Sequence, residues 1–70
     1  MRQVILIPDT QVGGFTVTVA SLPGCISEGD TEEEAIANIK EAIELYIESL
    51  IEDGEDVPAD VGAPIRIAAV

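Results

Sequence analysis

Fourteen carboxylates, three cationic side chains, one thiol and no imidazole are the chemical means of this 70-residue chain. Without histidine there is no imidazole base, no histidine-containing triad and no histidine-ligated metal. A nucleophilic cysteine needs a neighbouring base or a positive field to ionise. Cys25 has no histidine to call on and few Lys or Arg, so it reads as a small, half-buried turn residue. A single cysteine also permits no internal disulfide. Asp9 stands just after the apolar run Val4-Ile5-Leu6-Ile7 and reads as a turn residue. Two-metal nuclease chemistry would need carboxylates clustered on strands, and that run carries none. Glu52 to Asp56 is rich in oxygen atoms but lacks the alternating ligands and terminal bidentate glutamate of a calcium loop. The expectation is a protein without metal, cofactor or catalysis.

The remaining chemistry is electrostatic. Glu33, Glu41, Glu44, Glu48 and Glu52 recur on one side of a helical pattern, followed by Asp53, Glu55 and Asp56, with Lys40 the only base in that segment. Glu52 and Asp53 fall at the helix C-terminus, where the dipole disfavours negative charge. Helix stability alone would place lysine there. The stripe Glu41, Glu44, Glu48, Glu52 and Asp53 therefore reads as a surface for a basic partner, against the plainer reading of a solvated face that keeps a small protein soluble.

Those residues need elements to hold them. Val4-Ile5-Leu6-Ile7 has the aliphatic run of a strand buried on both faces. Gly13-Gly14 can take the positive φ of a turn, and Phe15-Thr16-Val17-Thr18-Val19 alternates like a half-buried antiparallel strand. Leu22-Pro23-Gly24-Cys25 carries Pro and Gly in type II order, and a short third strand follows over residues 25–28. Thr31 with Glu34 forms a helix-opening signature. Apolar residues then recur at Ala35, Ile36, Ile39, Ala42, Ile43, Tyr46, Ile47, Leu50 and Ile51, the helical pattern, up to Gly54 as terminator. Asn38 is expected to hydrogen-bond a strand or loop backbone, and Tyr46 to pack its ring at the sheet edge with its hydroxyl outward. Residues 65–70 read as a last strand, opened by Pro64. This is an α+β chain of order βββαβ, one domain over residues 1–70. A right-handed crossover sets the last strand parallel to the first, in sheet order 3-2-1-4, with one long helix on one face.

Net charge is −11, and residues 28–60 alone carry −12. Free binding to nucleic acid or an anionic membrane is disfavoured, and no apolar run approaches a membrane span. Hydrophobic residues make up 47%, too many for a disordered acidic tail. A core of this size is thin, which favours a homodimer or tetramer. The open sheet face with Thr16 and Thr18, and the edge at residues 65–69, are places for such pairing. Unpaired cysteine fits a reducing cytoplasm.

Four segments in order carry a family resemblance: Gly14-Phe15; Leu22-Pro23-Gly24-Cys25; Gly29-Asp30-Thr31-Glu32-Glu33-Glu34-Ala35; and Asn38-Ile39-Lys40-Glu41-Ala42-Ile43. Together they resemble the HicB-like antitoxin domain over about residues 1–60. The resemblance implies a truncated ribonuclease H-like fold, which does not bring the enzyme with it: the first strand has no central acid, and the fold reads as catalytically empty. It also implies binding and neutralisation of HicA, a small basic toxin that cleaves messenger RNA. Gly14, Leu22, Pro23, Gly24, Cys25, Gly29, Asp30, Thr31, Ala35 and Asn38 then read as structural motif residues. Longer members of the family add a C-terminal DNA-binding module. Here the sequence ends ten residues past the match, so a stand-alone domain without direct operator binding is expected. The alternative is an orphan member that binds a different protein.

Overall fold

Helix α1 has both of its ends written into neighbouring residues. Thr31 keeps an extended backbone and its Oγ1 accepts from the Glu34 N–H at 3.1 Å, capping an otherwise unpaired donor. Glu32, Glu33 and Glu34 fill the first turn, where the dipole favours anions. The helix runs Glu32–Glu52 and ends at Gly54, whose φ is 71°. The Gly54 N–H reaches the Ile51 carbonyl, and the Glu55 N–H returns to Leu50 at 2.9 Å, the pair of bonds that closes a Schellman ending. These features belong to a computed structural model that describes residues 1–70.

Three strands precede the helix: β1 (Ile5–Pro8), β2 (Phe15–Thr18) and β3 (Ile26–Gly29), joined antiparallel in the order β1-β2-β3. Asp9 Oδ1 accepts from the N–H groups of Gln11 and Val12, and Gly13 and Gly14 both have φ of 81°. That turn sets Leu6 opposite Val17 and Ile7 opposite Thr16. The second turn closes with the Cys25 N–H on the Leu22 carbonyl at 3.0 Å. It sets Val17 opposite Ser27 and Thr16 opposite Glu28.

Period-two alternation then assigns the faces. Val17 is fully buried beneath the helix, with Phe15, Leu6 and Val4 packed around it. The core is Val17, Val19, Leu22, Cys25, Ala35 and Ile39. Ile5, Ile7, Thr16, Thr18, Ile26 and Glu28 occupy the opposite face by register, and no element covers it.

Two expectations are corrected. Residues 65–70 form no strand, so the sheet has three strands and the order 3-2-1-4 stops at 3-2-1. The cause lies at Gln3. Its Nε2 donates to the Ala63 carbonyl at 2.8 Å and its Oε1 accepts from the Ile65 N–H at 2.7 Å, while its own N–H goes to Asp60 Oδ2. A side-chain amide thus takes the tail's backbone groups where a ladder along β1 would begin, and Pro64 between them has no N–H. The second correction concerns β1, which is not buried on both faces: Ile7 is 49% exposed. The single helix lies over β3 and β2, leaving β1 at the margin.

Length explains the remaining shape. Twenty-one helical residues span about 31 Å, whereas four-residue strands span about 13 Å. The C-terminal half of α1 therefore outruns the sheet. The radius of gyration, 13.1 Å, exceeds the roughly 11 Å of a compact chain of this length.

Candidate partner-binding surface

Helical geometry places the acidic side chains. Ala35 and Ile39 are buried against the sheet, with Ala42 and Tyr46 half-buried below them. Turning away from that contact, Glu41, Glu44, Glu48 and Glu52 are all exposed. Asp53 is the exposed C-cap, its N–H bonded to the Ser49 carbonyl at 3.1 Å. No basic residue occupies the last turn, so nothing within the helix offsets these carboxylates at its negative end.

Between the buried line and the acids lies a feature that periodicity had merged with the core. Ile36 is 43% exposed and Ile51 64%, while Ile43 and Ile47 are half-buried. They line the flank of α1 on the β1 side. A hollow of about 530 Å³ there includes Val4, Ile36, Ile43 and Ile47 with Arg2 and Lys40 at its margin. A second, of about 400 Å³, continues along Ile43, Ile47 and Ile51 beside Glu44, Glu48 and Glu52. The signal was present in the sequence: the apolar positions on α1 span a wider arc than one sheet contact can cover.

The motif residues gather where β3 meets the helix. A Cβ on Gly14 would stand 2.8 Å from the Gly29 carbonyl oxygen, and one on Gly29 would fall onto the Ala35 backbone nitrogen. Only glycine permits this approach of strand to helix. Asn38 Nδ2 donates to the Glu28 carbonyl at 2.7 Å, as expected of it. The Tyr46 hydroxyl donates to the Pro23 carbonyl at 2.8 Å, so it anchors the Leu22-Pro23-Gly24-Cys25 turn instead of pointing free. Asp30 is exposed and borders a cleft of about 520 Å³ with Asp9, Glu28 and Glu34. No three His, Cys, Asp or Glu residues converge as metal ligands.

Three groups titrate away from their ordinary values. The amides of Gln11 and Val12 hold Asp9 below its usual range. Burial pushes the Cys25 thiol up; at 4% exposure it is fully buried, more than a half-buried turn residue. Burial raises Asp60, but the Gln3 and Val61 amides, the Ser21 hydroxyl and the Arg2 guanidinium together bring it below the ordinary value.

No helix is long and apolar enough to cross a membrane. A family model described as the HicB-like antitoxin of bacterial toxin–antitoxin systems matches residues 3–67. A UPF0150 protein of Thermoplasma acidophilum is 42% identical over 69 residues, covering 99% of this chain and all of that one. A UPF0150 protein of Synechocystis is 52% identical over 56 residues, 80% of this chain and 71% of the relative. Antitoxin HicB 1 of Photorhabdus laumondii is 31% identical over 58 residues, covering 83% of this chain but 37% of that longer protein. With the match running almost from end to end, this chain belongs to the HicB-like antitoxin family.

Proposed function

We propose that the chain is a non-catalytic antitoxin-type binder that covers a small basic HicA-type mRNA-cleaving toxin. The observation that carries this reading is the family match over residues 3–67, since an antitoxin implies a toxin partner. The exposed carboxylates of Glu41, Glu44, Glu48, Glu52 and Asp53 supply the chemistry. Concentrated negative charge steers a cationic partner, raises its association rate and discriminates against acidic proteins. The same charge disfavours direct contact with nucleic acid. The three-strand sheet under one helix is compatible with a truncated ribonuclease H-like fold. The bare sheet face at Ile5, Ile7 and Ile26 is suited to self-association into a dimer or tetramer, and a reducing cytoplasm suits the single thiol.

The test is co-expression with any small basic protein encoded beside this gene. Co-purification, relief of that neighbour's toxicity, and loss of both on changing Glu44, Glu48 and Glu52 together to Lys are the expected results. Unchanged affinity and unchanged salt dependence in the triple variant would remove the acidic stripe from the mechanism. A neighbour that is neither toxic nor bound would leave an orphan binder with another protein partner.

A further inference from the structure

Ile36, Ile43, Ile47 and Ile51 follow one another along one flank of α1, at spacings that keep them on one side of a helix. The two hollows beside that flank share Ile43, Glu44 and Ile47, so they run together as one shallow trough, walled by the residues entering β1 between Ile36 and Ile47 and formed by α1 alone beyond. From Ile36 to Ile51 it is about 22 Å long, four turns of a helix. Its floor is aliphatic; Arg2 and Lys40 border its Ile36 end, while Glu44, Glu48 and Glu52 border the other, where the exposed Ile51 side chain lies.

An apolar strip of this length with carboxylates along its Ile43–Ile51 half complements one type of occupant. That is an amphipathic helix with aliphatic residues at i, i+4, i+7 and i+11, flanked by Lys or Arg. A second copy of this chain is a poor fit. Its single helix carries the same glutamates beside the same isoleucines, and like charges would face one another. We infer that the trough seats a basic amphipathic helix of the partner, with Ile43, Ile47 and Ile51 as the apolar floor and Glu44, Glu48 and Glu52 as the charged rim. This rests on the reading of the chain as a binder of a basic protein. It adds which element of the partner is grasped, and that contact persists where charge is screened.

The full chain is titrated with two synthetic sixteen-residue helical peptides. One has leucine at i, i+4, i+7 and i+11 among lysines; the other has the same lysines with serine for leucine. Fluorescence anisotropy is read at about 0.15 M and about 0.5 M salt, where the screening length shortens from about 8 Å toward about 4 Å. The leucine peptide should bind at least about tenfold tighter, with the gap maintained at high salt. Ile36→Ser and Ile51→Ser, both at exposed positions, should each weaken it about threefold or more with the far-UV spectrum unchanged. Equal binding of the two peptides, or leucine-peptide binding indifferent to both serine variants, would overturn the inference. A dimer in sedimentation that Ile51→Ser dissolves would overturn it too, assigning the trough to a second copy. The antitoxin reading is separable. If both serine variants retain the neighbouring basic protein while the triple Glu→Lys variant loses it, the trough assignment fails and that reading stands.

Discussion

The Asn38 side-chain amide donates to the Glu28 carbonyl at 2.7 Å, tying the second turn of α1 to the outer edge of β3. The alternation of ladder bonds explains why that carbonyl is available. The Val19 N–H bonds to the Cys25 carbonyl, so Ser27 and Gly29 face β2, and Ile26 and Glu28 face outward. Asn38 therefore satisfies an edge carbonyl and occupies part of the edge. The other edge has no such cover: Val4 and Leu6 point their backbone groups away from β2, by the same alternation from the Asp9–Gly14 bond.

Replacing Asn38 with Ala should cost about 0.5–1 kcal/mol, the net worth of an exposed hydrogen bond whose acceptor water can then reach. Urea unfolding with unchanged m-value checks it. Asn38→Asp should cost at least as much, because a carboxylate would then face the Glu28 carbonyl with no proton to share.

Gly29→Ala should be among the most damaging single changes in the chain, at about 3 kcal/mol or more, since its methyl would overlap the Ala35 backbone. That is a large part of the roughly 4–10 kcal/mol available to 70 residues. Gly62→Ala, where nothing lies within 4 Å of the added carbon, is the control and should shift the melting temperature little. Equal melting temperatures for the two variants would contradict the close approach.

Acid should loosen the tail. Asp60 sits below its ordinary value of 3.8 in the folded chain. Its contribution is complete above the unfolded value and is lost as pH falls through the lower folded one. The melting-temperature difference between wild type and Asp60→Asn should be largest near neutrality and shrink below about pH 4. A difference that grows on acidification would reverse the sign of this linkage.

Gln3→Ala should release the chain after the helix, since one side chain makes both bonds to Ala63 and Ile65. The Ile65 amide should lose its hydrogen-exchange protection while amides in α1 keep theirs. Gln3→Glu retains an acceptor for the Ile65 N–H but removes the donor to Ala63, and should fall between the two.

Cys25, buried and with its thiol pushed up in pKa, should resist alkylation by iodoacetamide in the native chain. It should react at the rate of a free peptide thiol in denaturant. Fast native labelling would show that the core opens readily.

Much of this molecule was legible in contiguous residues. Thr31 and Gly54 mark the helix ends because capping is a local exchange of hydrogen bonds. Asp9 with Gly13-Gly14, and Pro23-Gly24, mark the turns because backbone conformation there is set by individual residues. The position of the acids on α1 followed from helical period alone.

Residues 65–70 and the isoleucines of α1 were read less well, and for one physical reason. Strand pattern states that a segment can pair, not that a partner edge is free to receive it. The Gln3 amide competes for those backbone groups from 60 and 62 residues away in sequence. Helical period likewise marks Ile36 and Ile51 as apolar without saying how far the sheet extends beneath them.

The sequence by itself determined one acidic helix following a nearly uncharged three-strand segment, and the family to which that arrangement belongs. Tertiary structure decided that α1 lies over β3 and β2, outruns the sheet, and leaves an isoleucine trough beside its glutamates. Secondary structure and charge position follow from near neighbours, whereas exposure depends on what the rest of the chain is long enough to cover.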